Sequence, residues 1–156
     1  ISFPDNFFDA VYSVTVLEEC DAQKSIAEIK RVLKPGGVAG IVVRALDAPQ
    51  WWNIKVSDSV NKIISVPPQM VSPKGVADMS LYEKIKLANF KNILSYPFWF
   101  TASSGNNSYI YDMYYGRARQ LLNKKQQEEF DKEIKNVNEK SQSILSVPLH
   151  CCIGYK

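Results

Sequence analysis

The stretch from Glu28 to Val43, E-I-K-R-V-L-K-P-G-G-V-A-G-I-V-V, admits few folds. Ile26, Ile29, Val32 and Leu33 recur at helical spacing, and an amphipathic helix is expected to end on Lys34, because Pro35 cannot continue it. Gly36 and Gly37 can take the positive φ that reverses a chain after a helix. Val38 to Val43 then carries almost no polar side chain, as expected of a strand covered on both faces.

A matching unit precedes it. Phe3-Pro4-Asp5-Asn6 reads as a turn, and Phe8 to Val14 as a short strand. Val16 and Leu17 lead into a loop, and Asp21 is placed to cap a helix beginning near Ala22. Strand, helix, tight turn and buried strand make one right-handed βαβ crossover of a parallel sheet.

At these residues the chain resembles a known family. F-P-D-N-x-F-D-A-V, then V-L-E, then E-I-K-R-V-L-K-P-G-G resembles the middle of a class I S-adenosylmethionine-dependent methyltransferase, of the small-molecule branch that includes ubiquinone and menaquinone biosynthesis enzymes. The resemblance implies a three-layer, Rossmann-like α/β fold, with a mostly parallel sheet and an antiparallel last strand. It also implies that the glycine-rich loop and acidic residue that hold the cofactor in that family come before F-P-D-N. The seven glycines here form no G-x-G pattern. The chain is therefore expected to be the carboxyl-terminal part of the fold, a single domain over residues 1–156 that lacks the amino-terminal cofactor-binding strands.

Composition narrows the function classes. At 46% hydrophobic and 12% aromatic the chain is too apolar for disorder. Its 19 basic and 16 acidic residues are interspersed, which gives no nucleic-acid footprint. No apolar run approaches the ~20 residues that span a bilayer. Cys20, Cys151 and Cys152 are too few for a disulfide scaffold and lack metal-ligand spacing, so no metal is expected, and a reducing intracellular compartment, cytoplasm or organelle matrix, is.

The later segments read less sharply. Arg44 to Asn53 stands at the carboxyl end of the second strand, where open α/β sheets bind ligands. With Pro67-Pro68, Pro73 and Gly75 following, residues 44–79 are expected as an insertion or cap. Ser80 with Glu83 fits a capping box for a helix that buries Leu81, Ile85 and Ala88. Asn89 stands where the family usually has glycine, as a left-handed cap, and Lys91 to Tyr96 follows as a strand. An aromatic helix is expected over 109–122. Asn123 with Gln126 should cap another that buries Phe130, Ile134 and Val137. Leu149 to Tyr155 resembles the family's final antiparallel strand.

Candidate site residues follow from these placements. Ser13, Val14, Thr15 and Leu17 follow the first strand, where the family's loop flanks the methionine end of the cofactor, and they are the expected remnant of the S-adenosylmethionine site. Trp51, Trp52, Tyr111 and Tyr115 are candidates for the wall of a small-molecule acceptor pocket, with core packing as the alternative. Many relatives have a histidine near Glu19, where this chain reads Glu18-Glu19. Arg44 could hold an anion or form an ion pair, and His150, the one histidine, could be structural or a general base. No catalytic residue is assigned. Two functions remain open: methyl transfer by a parent protein, with this segment alone inactive, or a non-catalytic methyltransferase-like subunit of a larger assembly. In either, a preceding segment, a partner or a second copy should cover an exposed sheet edge.

Overall fold

The computed structural model describes residues 1–69, 71–105 and 108–156, so Met70 of the expected excursion lies outside them. Its elements are β1 (Phe8–Val14), α1 (Ala22–Val32), β2 (Leu33–Arg44), β3 (Trp51–Trp52), α2 (Asp58–Ile64), α3 (Ser80–Leu87), β4 (Lys91–Ser103), α4 (Ser108–Leu121), α5 (Lys124–Lys140) and β5 (Ile144–Tyr155). They form two compact units. The first holds residues 1–47, 69–98 and 149–156, the second 48–68 and 99–148. Residues 44–79 thus divide between them.

In the first unit, β1 and β2 pair in parallel from Ala10↔Val38 to Val14↔Val42, and β5 joins β2 antiparallel from Val38↔Tyr155 to Arg44↔Leu149. The parallel crossover and the antiparallel final strand are as the sequence predicts. Asp21 caps α1 by accepting from the Lys24 amide at 3.1 Å. Two boundaries differ. The helix ends on Val32, three residues before Pro35, because Leu33 already takes extended backbone. Lys34 to Gly37 then bulge out of the ladder between Phe8↔Leu33 and Ala10↔Val38, with Gly36 at φ +77°.

One face of this sheet is packed and the other is not. Ile26 and Ile29 of α1 and Leu81 and Ile85 of α3 bury Ala39, Ile41 and Val43 of β2 and Cys152 of β5. Side chains alternate across a strand, so Tyr12, Val14 and Tyr155 point the opposite way. Tyr12 is 84% exposed there, and Leu94, Tyr96 and Phe98 of β4 are also exposed. The expectation of a strand covered on both faces therefore holds for one face only.

The ends of α3 carry a correction and a confirmation. Ser80 forms no capping box. It is the first helical residue, its amide bonds the Asp78 carboxylate at 2.8 Å, and the Met79 amide bonds Asp47 at 3.0 Å. At the other end Asn89 takes φ +59°. The Asn89 amide reaches the Lys86 carbonyl and the Phe90 amide the Ile85 carbonyl, the paired bonds of a Schellman cap. Lys30 donates to the Ala88 and Asn89 carbonyls at 2.6 and 2.9 Å, and so covers acceptors the helix leaves free.

The second unit is built around aromatic rings. Trp52 meets Tyr111 and Phe130 edge-on at 5.6 and 5.5 Å, and Tyr115 stacks on Phe130 at 5.3 Å. Asn123 and Gln126 form the predicted capping box of α5, which buries Phe130 and Ile134. Tyr115 donates to Asp131 at 2.6 Å. Burial first, and the Asp131 carboxylate second, push its phenol up to about 12. The folded state holds that proton more tightly than the unfolded chain, so the contribution is complete below the ordinary tyrosine range and is lost as the pH rises through about 12. Alkaline absorbance titration should show Tyr115 ionising late together with Tyr111, which burial also raises, with loss of the second unit's helices. Tyr115→Phe should reduce the amplitude of the late step and leave the Tyr111 part.

Candidate functional site

The loops past the carboxyl ends of β1 and β2 hold Glu18 and Asp47, which pair with Arg44 and His150. β1 ends on Val14, and Thr15 takes φ +52° while its amide donates to the Val42 carbonyl at 2.8 Å. A β-branched residue in left-handed backbone is a strained outlier of the kind that collects at ligand sites. The chain then turns inward and buries Glu18, which is 1% exposed.

Glu18 is held by the end of the neighbouring strand. One oxygen accepts from the Arg44 backbone amide and the other from the Arg44 side-chain Nε, both at 2.5 Å. Glu19 adds a looser contact to the same guanidinium at 3.6 Å. Arg44 is thus an ion-pair residue, mostly buried, and Glu18 serves as a structural tie here. The backbone of this turn is closed by a second loop: Ser72 donates to the Glu18 carbonyl at 2.8 Å and Val76 to the Leu17 carbonyl at 3.0 Å. Gly75 sits so close that a Cβ would lie 2.3 Å from the Glu18 carbonyl oxygen. Gly75→Ala should cost about 1–3 kcal/mol of stability, since backbone atoms must move, and urea unfolding would show it as a lower midpoint with an unchanged slope.

Past β2, Asp47 meets His150 of β5 through Oδ1 and Nε2 at 2.7 Å. Burial opposes a charge on Asp47, but the His150 bond and the Met79 amide outweigh it and hold the carboxyl below its usual range. His150, half-buried, fronts a cleft of about 550 Å³ shared with Ser95 and with Ser80, Tyr82 and Glu83 of α3. A histidine whose ring is fixed by an ionised carboxylate is the arrangement a general base needs.

A second groove of about 770 Å³ runs along the outer edge of β1, between Val11 to Val14 and the α1 side chains Lys24, Ser25 and Glu28. Of the four residues expected to touch a cofactor, Ser13, Val14 and Leu17 line this groove. Thr15 does not, although its strained backbone sets the turn between them. Sequence reasoning left Glu18 and Asp47 out. Glu18 entered only as the last residue of V-L-E, without a role, and Asp47 bonds a residue 103 positions away.

The four acceptor-wall candidates lie in the second unit, three of them gathered around Phe130. Trp52 and Tyr111 are buried, with the indole N–H on the Ile64 carbonyl and the Tyr111 hydroxyl on Ser143. Tyr115 is bound to Asp131. Trp52 and Tyr111 belong to the core of the second unit, and Tyr115, half-buried, packs against it. Only Trp51 stands out from the core, 55% exposed.

Comparison with known proteins bears on these placements. Residues 1–41 match the model of a methyltransferase domain. A sterol 24-C-methyltransferase of Gibberella zeae is 55% identical over 42 residues, 26% of this chain and 11% of that protein. A second sterol 24-C-methyltransferase of the same fungus is 48% identical over 40 residues, again about a tenth of its length. Among solved structures, a Bacillus halodurans protein described as a methyltransferase superposes with a TM-score of 0.53 at 15% identity, over 100% of this chain and 67% of its own. The YcgJ protein of Bacillus subtilis gives 0.51 with the same identity and coverages. Residues 1–41 are thus similar to a methyltransferase domain, and the chain as a whole shares the α/β fold of these two solved structures.

Proposed function

We propose that this chain forms the second half of the sheet and the acceptor side of the pocket in a protein that transfers the methyl group of S-adenosylmethionine to a small molecule. The observation that carries the reading is the convergence at one sheet edge of the strained Thr15 turn, the buried Glu18–Arg44 tie and the Asp47–His150 pair. Methyl transfer from a sulfonium is an in-line displacement, and it asks the protein for positioning, a dry pocket and, for some acceptors, a base. When bound, S-adenosylmethionine supplies the electrophilic methyl group. Ser13, Val14 and Leu17 would flank it, Thr15 and Glu18 would fix the backbone of that turn, and His150, oriented by Asp47, would accept the acceptor's proton.

The groove along β1 has apolar residues on one wall and a helix on the other, and its free strand edge offers unpaired backbone groups. A segment preceding Ile1 in the parent protein would supply the glycine-rich part of the cofactor site and cover this edge. The uncovered face with Tyr12, Val14 and Phe98 supports that reading. The experiment is calorimetric titration with S-adenosylmethionine of the 156-residue chain and of the whole protein that contains it. Binding by the whole protein and none by the folded chain is the expected result. No binding by either would overturn the enzyme reading in favour of a non-catalytic scaffold.

A further inference from the structure

The second unit carries a groove that the methyl-transfer reading does not use. It has a volume of about 690 Å³ and is lined by Gln50, Trp51, Asn61, Lys62, Trp99 and Ser146. Trp51 pairs with Ser146 across β3 and β5, and the Thr101 hydroxyl meets the Ser146 hydroxyl at 3.2 Å. Trp51, Ser146 and Thr101 therefore share one face, and alternation adds Trp99, two residues before Thr101. The opposite face carries Trp52, Leu145 and Ala102 into the core.

Two half-exposed indoles thus flank a strand whose own side chain is small. Trp51 is 55% and Trp99 50% exposed. Strands two apart stand about 10 Å from each other. A flat ring in contact with an aromatic face on each side needs about 7 Å, so the gap over Ser146 can admit one.

The groove also has polar groups to orient such a ring. Gln50 is 4% exposed, and its amide N–H donates to the Ile64 carbonyl at 2.6 Å. That bond fixes which end of the amide is the acceptor, and Oε1 is left buried with no partner among the described residues. Buried acceptors are rarely left so, and a donor brought by a ligand would satisfy this one. Lys62 of α2, exposed at the same groove, makes no ion pair among the described residues and offers a cation.

We propose that this groove is a binding site for a planar aromatic anion that also carries a hydroxyl or N–H donor. The ring lies between Trp51 and Trp99, the anionic group reaches Lys62, and the donor meets Gln50 Oε1. The proposal is independent of methyl transfer and of S-adenosylmethionine, so it is tested on the 156-residue chain without cofactor.

The probe is 6-hydroxy-2-naphthoate, titrated against tryptophan fluorescence and by calorimetry, with circular dichroism to check that each variant is folded. Saturable binding is expected, weakened by at least about tenfold in Trp51→Ala, in Trp99→Ala and in Lys62→Glu, and retained in Trp51→Phe, which keeps a stacking face. 2-Naphthoate, which lacks the donor, should bind more weakly than the hydroxylated probe. Both tryptophans are exposed, so their removal leaves the aromatic core intact. Absence of saturable binding to the folded wild-type chain, or equal affinity in both alanine variants, would overturn the site.

Discussion

Replacement of His150 by alanine in the whole protein should lower methyl transfer by about 10²–10⁴-fold at saturating acceptor, the usual contribution of one positioned proton-transfer group. The reasoning starts from geometry. His150 is fixed by Asp47 at 2.7 Å, and Asp47 is itself held ionised by that bond and by the first amide of α3. An ionised partner favours the ring orientation in which the remaining nitrogen can take a proton. Asp47→Asn should therefore lower the rate too, by less than loss of the imidazole, because the ring stays in place while the single amide oxygen can accept from the ring or from the Met79 amide and not from both. Affinity for S-adenosylmethionine should stay the same in both variants, since neither residue borders the β1 groove. The check is a rate profile against pH together with a binding isotherm. An unchanged rate in His150→Ala would make the pair a strut between β2 and β5, and would remove the base from the proposed mechanism.

The second large effect concerns stability. Glu18→Ala should cost about 3–5 kcal/mol, because it leaves the Arg44 guanidinium and backbone amide without their carboxylate in a mostly buried place. Glu18→Gln keeps one acceptor for the amide and should cost less. The double change Glu18→Ala with Arg44→Met removes both charges and should recover much of the loss, which separates the burden of an orphaned charge from the worth of the pair. Urea unfolding of the three variants measures this. A loss below about 1 kcal/mol in Glu18→Ala would show that water or Glu19 replaces the carboxylate at little cost, as at an exposed pair.

The two cases illustrate where sequence reading succeeds. β1 was legible to the residue, because a short run holding Phe8, Val11, Tyr12 and Val14 follows the Pro4-Asp5-Asn6 turn. Asn89 was legible as a left-handed cap because only asparagine and glycine enter that region easily. Both depend on interactions within a few residues. The start of α3 was misread because Asp78, not Ser80, takes the first helical amide, while Asp47, 32 positions away, takes that of Met79. β4 runs to Ser103, past the predicted end at Tyr96, because Pro97 reads as a break yet is tolerated on an edge strand. Trp99 went unnoticed for the same reason. The three aromatics Trp52, Tyr111 and Tyr115 could not be told from pocket residues, since spacing alone does not say which face of an element meets the protein.

The division into two units has a consequence for biosynthesis. β2 finds its second neighbour only in residues 149–156, which follow the whole of the second unit in the chain. A ribosome must therefore deliver residues 48–148 before the sheet of the first unit can gain its inner antiparallel strand. During that interval β1 and β2 wait as a two-stranded ribbon with an open edge on each side, a state prone to pairing with other chains. A premature stop near residue 148 would spare every helix and still deprive the first sheet of the strand that joins β2 to β4. Loss of residues 149–156 should thus be read in the insoluble fraction of a cell before it is read in any assay of activity.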